Sequence, residues 1–78
     1  ADIFEALTAV DRPYKKGKTL SEALGIMIGM CNGAHVDTQL FVLFVRSGIY
    51  RDYGQRFLKP EQIDEVDEQG LLAKLNDA

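Results

Sequence analysis

The side chains best suited to chemistry in this 78-residue chain lie near its start. They are the carboxylates Asp2 and Glu5 and the cations Arg12, Lys15, Lys16 and Lys18 of the stretch DRPYKKGK. Clustered cations on a loop beside a helix suit a phosphate, and an arginine can grip two of its oxygens at once. One cation at about 4 Å from a phosphate charge is worth about 1 kcal/mol in water and about 4 kcal/mol at a partly buried site. Such a cluster orients a phosphorylated ligand, although exposed lysines alone do not select one. The plainer expectation is a solvated loop whose lysines keep the chain soluble. Asp2, taken alone, is a first-turn acid favoured by the helix dipole. A divalent ion needs several ligands, so co-ligands for Asp2 would have to come from outside this chain.

Other constellations carry less. Cys31, His35 and Asp37 are close enough in sequence to suggest a small metal site, but Gly33 should end the helix between them and break their facing geometry. Cys31 is expected to complete a buried stripe, and His35 to hydrogen-bond the loop. The single histidine supports no nucleophile–histidine–acid set. Tyr50, Arg51, Tyr53 and Arg56 could stack on a nucleobase, but half-buried tyrosines on a helix are the commoner explanation.

The elements that would position these residues read as helices. Ile3, Phe4, Ala6, Leu7 and Val10 fall on one helical face, which Asp2 and Glu5 flank. Arg12-Pro13 should end that helix, leaving Tyr14–Lys18 as loop, with Gly17 supplying flexibility. Thr19 and Glu22 form a capping box for a second helix. Its stripe is Leu20, Ala23, Leu24, Met27, Ile28 and Cys31. The spacing of Gly25 and Gly29 would let another backbone approach closely, and Asn32-Gly33 should stop the helix at a left-handed glycine. Asp37 is a good N-cap for a third helix through the apolar run Leu40–Val45, which periodicity alone does not separate from a buried strand. Ser47-Gly48 interrupts it, and a short helix is expected over Ile49–Leu58. Lys59-Pro60 marks a boundary, with the proline suited to a first helical position. A helical turn should follow around Ile63 and Val66, then Gly70, which separates a last cluster of Leu71, Leu72 and Leu75. The expected fold is all-α, a small bundle of four to six short helices with no internal repeat.

Composition narrows the function classes. With 46% hydrophobic and 27% charged residues the chain is an ordinary globular sequence. A formal net charge of −3 argues against general nucleic-acid binding. One cysteine permits no internal disulfide. The longest wholly apolar run, Leu40–Val45, is too short to cross a bilayer, and no signal peptide is visible, so a cytoplasmic location is expected. The start without methionine, inside an apolar periodic pattern, suggests an excised fragment.

One stretch also resembles a known family. Ala1-Asp2, Ile3-Phe4, Glu5, Ala6-Leu7-Thr8 and then Arg12-Pro13-Tyr14-Lys15 are similar to the last signature block of the HD-type metal-dependent phosphohydrolases, the HD-GYP group above all. The Ser21-Glu22-Ala23-Leu24 helix, the His35-x-Asp37 link and the following apolar helix resemble it too. The likeness covers roughly residues 1–46, with 47–78 looking like a C-terminal extension. It departs from the usual pattern at Glu5, where aspartate is commoner, and at Val10-Asp11, which lengthens the gap before Arg12 by one residue. The resemblance implies the C-terminal portion of an HD-type helical domain, with Asp2 as the final metal ligand and Arg12 and Lys15 as phosphate contacts. Glu5, Tyr14 and Lys16 would support them. It also implies a divalent cofactor (Mn, Fe or Mg) in the complete domain and, as partners, upstream helices of the same protein. The substrate would be a phosphorylated small molecule or a cyclic dinucleotide such as cyclic di-GMP. The piece alone would be inactive, and a homodimer is left open. The alternative is a non-catalytic helical interaction module that packs on a partner through Leu40–Val45 and Gly25/Gly29.

Overall fold

The stripe Leu20, Ala23, Leu24, Met27, Ile28 and Cys31 is buried throughout its length and forms the middle of the fold. In the computed structural model, which describes residues 2–10 and 17–75 except for the side chain of Asp2, the chain is all-α, with no strand among the described residues. Five helices run in the order α1 (Asp2–Thr8), α2 (Leu20–Asn32), α3 (Thr38–Arg46), α4 (Ile49–Phe57) and α5 (Glu68–Leu72), with a 3-10 turn at Pro60–Gln62 between the last two. Helix α2 touches all four others. Phe4 from α1, Phe41 and Val45 from α3, Tyr50 from α4 and Leu75 beyond α5 complete one core around it. Residues before and after position 46 therefore share a single interior.

Local chemistry starts and stops most of these helices as the sequence anticipates. The Thr19 amide donates to Glu22 Oε1 at 3.0 Å and the Glu22 amide to Thr19 Oγ1 at 3.2 Å, closing the capping box. Asp37 accepts from the amides of Gln39 (2.9 Å) and Leu40 (3.4 Å) and opens α3. The run Leu40–Val45 is helical. Phe41 and Val45 face the core, while Leu40 and Leu43 are 64% and 59% exposed, so the apolar circumference divides into a packed side and an open one. Gly48, with φ of 81°, makes the bend before α4.

Several boundaries fall elsewhere than expected. Helix α1 ends at Thr8, and Val10 stands outside it. The Thr8 hydroxyl donates to the Phe4 carbonyl at 2.8 Å, and the carbonyls of Leu7 and Thr8 are taken by groups from later in the chain, so the ladder stops there. The expected stop at Arg12-Pro13 lies outside the described residues. At the end of α2 the left-handed residue is Ala34 (φ 64°), while Gly33 has φ of −87°. The Ala34 amide donates to Cys31 O at 3.0 Å and the His35 amide to Met30 O at 2.8 Å, the paired bonds of a Schellman ending that puts the left-handed position one residue later than the glycine. Gly25 and Gly29 sit on the exposed side of α2, and a Cβ on either would meet nothing within 4 Å, so no close backbone approach occurs there. Pro60 does open a helical turn, but residues 63–67 form none, because Asp64 is pulled onto α2. Gly70 lies inside α5, not between segments.

Polar bonds fasten the segments that lack regular structure. Asp64 accepts from the Ser21 amide at 3.0 Å and from the Ser21 hydroxyl, tying the stretch after the 3-10 turn to the start of α2. The Tyr50 hydroxyl donates to Glu68 Oε2 at 2.5 Å, and Arg51 pairs with the same oxygen at 2.8 Å, anchoring α5 to α4. Asn32 Nδ2 donates to the Lys74 carbonyl at 3.1 Å.

Two measurements check this account. Ala34→Gly should stabilise the fold by about 0.5–1 kcal/mol, since it removes the cost of a left-handed Cβ at an exposed site, and the urea midpoint reads that gain. The second concerns acid. Burial works against ionisation of Asp64, but its bonds from Ser21 outweigh that and hold the carboxyl below its ordinary value of 3.8. The Thr19 amide holds Glu22 below its ordinary 4.5. Both folded-state values lie below the unfolded ones. Their contribution is therefore complete above the ordinary values and is lost as pH falls through the folded ones. Urea midpoints should drop below about pH 4.5, and Asp64→Asn should flatten that drop.

Candidate functional site

Helix α1 buries one ring in the bundle, with Ile3 and Leu7 packed beside it. Phe4, 1% exposed, meets Phe44 edge-on at 5.1 Å between centroids and Tyr53 at 5.4 Å, which fixes α1 against α3 and α4. Asp2 is the first residue of that helix, and Glu5, one turn on, is exposed. Tyr53 is half-buried near Glu5; burial first, then the Glu5 charge, holds its phenol above the ordinary value, so it stays protonated.

The described residues on either side of the cationic stretch meet at the end of α1. The Lys18 amide donates to the Leu7 carbonyl at 3.2 Å. Gln62, 4% exposed, donates through Nε2 to the Thr8 carbonyl at 2.8 Å and to the Lys18 carbonyl at 3.0 Å. Its Oε1 accepts from the Lys59 amide at 3.2 Å. One buried carboxamide thus joins the residue before the segment to the residue after it, and is itself satisfied. A Cβ on Gly17 would overlap both Gln62 Nε2 and the Thr8 carbonyl, so glycine serves close approach here and not flexibility. Beside this junction an open groove of about 590 Å³ runs between Glu5, Val10, Tyr53, Phe57 and Lys59. Tyr53 and Phe57 pack at 4.9 Å within it, and Phe57 is 69% exposed.

The sequence candidates fare as follows. Arg12, Tyr14, Lys15 and Lys16 lie outside the described residues, as does the Asp2 side chain. Glu5 stands on α1 at the mouth of the groove. Among the described residues no three His, Cys, Asp or Glu side chains gather as a metal site. Cys31 is buried, which raises its thiol above the ordinary value, His35 is exposed, and the imagined Cys31–His35–Asp37 site is not formed. A single carboxylate supplies at most two of the six or so oxygens a hard divalent ion takes, so the described residues do not fit such an ion by themselves. Tyr50 is 1% exposed, a core residue, and its hydroxyl is engaged by Glu68. No described helix is long and apolar enough to cross a membrane.

Sequence reasoning missed Gln62 and misread Gly17. The only local signal for Gln62 was its place at the end of a proline-led turn, and nothing in the sequence names partners 44 and 54 residues away. Replacing Gly17 with alanine should cost about 1–3 kcal/mol by overpacking, with thermal unfolding as the measurement; an unchanged midpoint would contradict the close approach.

Searches against family models, curated proteins and solved structures return no match to this chain.

Proposed function

We propose that these residues form the C-terminal portion of a metal-dependent phosphohydrolase domain of the HD type, a phosphodiesterase whose substrate class includes cyclic dinucleotides. One observation carries the reading. A carboxylate at position 2, Ala6-Leu7-Thr8 and Arg12-Pro13-Tyr14-Lys15 occur together as in that family's last signature block, with the gap before Arg12 one residue longer. The fold is compatible with it in two ways. Helix α1 is seven residues long, so Asp2 and the exit of the cationic segment at Thr8 are separated by roughly 9 Å along the axis, within the reach of one substrate. The segment's two ends are also fastened to a buried junction, the kind of support a phosphate-binding loop requires.

In this reading Asp2 is one ligand of a divalent ion (Mn, Fe or Mg), and the other ligands are carried by helices that precede it in the complete domain. Arg12 grips two phosphate oxygens, and Lys15 adds a second charge. Glu5, Tyr14 and Lys16 support them. The chemistry that such an ion supplies, an activated water and neutralised charge, belongs to the complete domain.

A second reading is favoured by the open side of α3. Leu40, Leu43 and Ile49 are 64%, 59% and 51% exposed and lie around one groove with Phe44 and Met27. A patch of that kind suits a helical interaction module. Arg12→Ala in the complete protein separates the two. The phosphohydrolase reading expects roughly a 100-fold fall in kcat/KM for bis-p-nitrophenyl phosphate with manganese, about 2.7 kcal/mol of transition-state stabilisation, and an unchanged melting temperature. The module reading expects no change. The 78 residues alone should not hydrolyse a cyclic dinucleotide, and manganese-dependent turnover by them would sink the proposal.

A further inference from the structure

We infer that the open side of α3 is where a second copy of this chain docks, about a two-fold axis passing between Leu40 and Leu43. The inference rests on the second reading, which takes that side as an interaction surface, and names its partner. Leu40 and Leu43 are the two most exposed aliphatic side chains of the described structure, and Ile49 borders the same groove. Three large aliphatic groups left in water side by side are an apolar patch that association would remove from solvent.

The charges beside them select the partner. Asp37, Leu40, Leu43 and Arg46 stand three residues apart along α3 and its cap and are all exposed, so they form one ridge, acidic at its start and basic at its end. Reversal leaves that order complementary to itself. A two-fold axis at the middle of the ridge sets Leu40 against the partner's Leu43 and Asp37 against the partner's Arg46, and each contact occurs twice. A row of this kind is inclined by about 45° to its helix axis, so ridges laid side by side cross the two helices steeply. They then meet over their middles, which nine residues suffice to supply. The end groups are available for pairing. Both bonds of the Asp37 cap go to Oδ1, which leaves Oδ2 to accept from an arginine. Arg46 enters no ion pair among the described residues. A uniformly acidic or uniformly basic partner would meet a like charge at one end of the ridge, whereas a second copy pairs both ends.

Sedimentation velocity of the complete protein over a range of concentrations, at low and at high salt, tests this. The protein should pass from monomer to dimer as concentration rises. Leu43→Lys should weaken the dimer about 100-fold or more, because the change enters the two-fold contact twice. Leu40→Lys repeats that test at the neighbouring position. Arg46→Glu sets acid against acid at both ends and should weaken the dimer about ten-fold at low salt and less at high salt. Adding Asp37→Asn to Arg46→Glu removes the repulsion and keeps a helix cap, so most of that loss should return. Melting temperatures establish that each variant is folded. A protein that stays monomeric at every concentration overturns the inference. So does a dimer indifferent to both leucine changes, or a double variant that associates no better than Arg46→Glu alone. Slow amide exchange across α3 in a monomer overturns it too, by giving the face to another part of the same protein. A monomer with that face free would leave it to a different partner, so the module reading is decided apart, by the Arg12→Ala assay.

Discussion

The fold depends on one helix having a continuous apolar stripe. The buried residues form a single interior. Leu20, Ala23, Leu24, Met27, Ile28 and Cys31 supply its axis; α1, α3 and α4 add buried residues to it, and α5 packs on it through the half-buried Leu71 and Leu72. Helix α1 is held to this interior by Phe4, enclosed by Phe44 and Tyr53, with Ile3 and Leu7 packed beside it.

Where apolar contact runs out, single polar side chains take over. Gln62 fastens the end of α1 to Lys18, Asp64 fastens the chain after the 3-10 turn to α2, and Glu68 fastens α5 to α4 through Tyr50 and Arg51. These bonds differ in surroundings. The Asp64 and Arg51 contacts lie at the surface, where a net contribution is small. The Gln62 bond to the Thr8 carbonyl is buried and that to the Lys18 carbonyl half-buried, so leaving them unmet costs desolvation, most of all at Thr8. The junction beneath the cationic segment is thus the most exacting polar feature of the described structure.

What the sequence disclosed follows from the range of the forces involved. The capping box at Thr19 and Glu22, the Asp37 cap and the stripe of α2 are encoded within a few residues and were legible. Helix rather than strand over Leu40–Val45 also followed from its neighbours, although the division of that run into packed and open sides did not. The misses occurred where distant groups decided the outcome. Thr8 ends α1 because Lys18 and Gln62 take the carbonyls there, and residues 63–67 stay non-helical beside the Asp64 tie. Gly17 carries no local sign that a side chain from position 62 will press against it. At Ala34 the register of the helix end overrode the preference for glycine next door. For the candidate site, the resemblance named Asp2, Arg12 and Lys15, with Glu5, Tyr14 and Lys16 in support, but not the Gln62 junction, because a bond across 54 positions is a matter of tertiary geometry and not of motif.

The Gln62 junction also bears on the order in which the chain acquires its structure. Helix α2 and its caps use contacts within a few positions and can form as soon as that stretch exists, whereas the bond from Gln62 to Thr8 spans 54 positions. A chain made from its N-terminus holds the cationic stretch long before it holds the residue that closes the stretch's base. Whatever that stretch binds, its mooring closes only once residue 62 has been made.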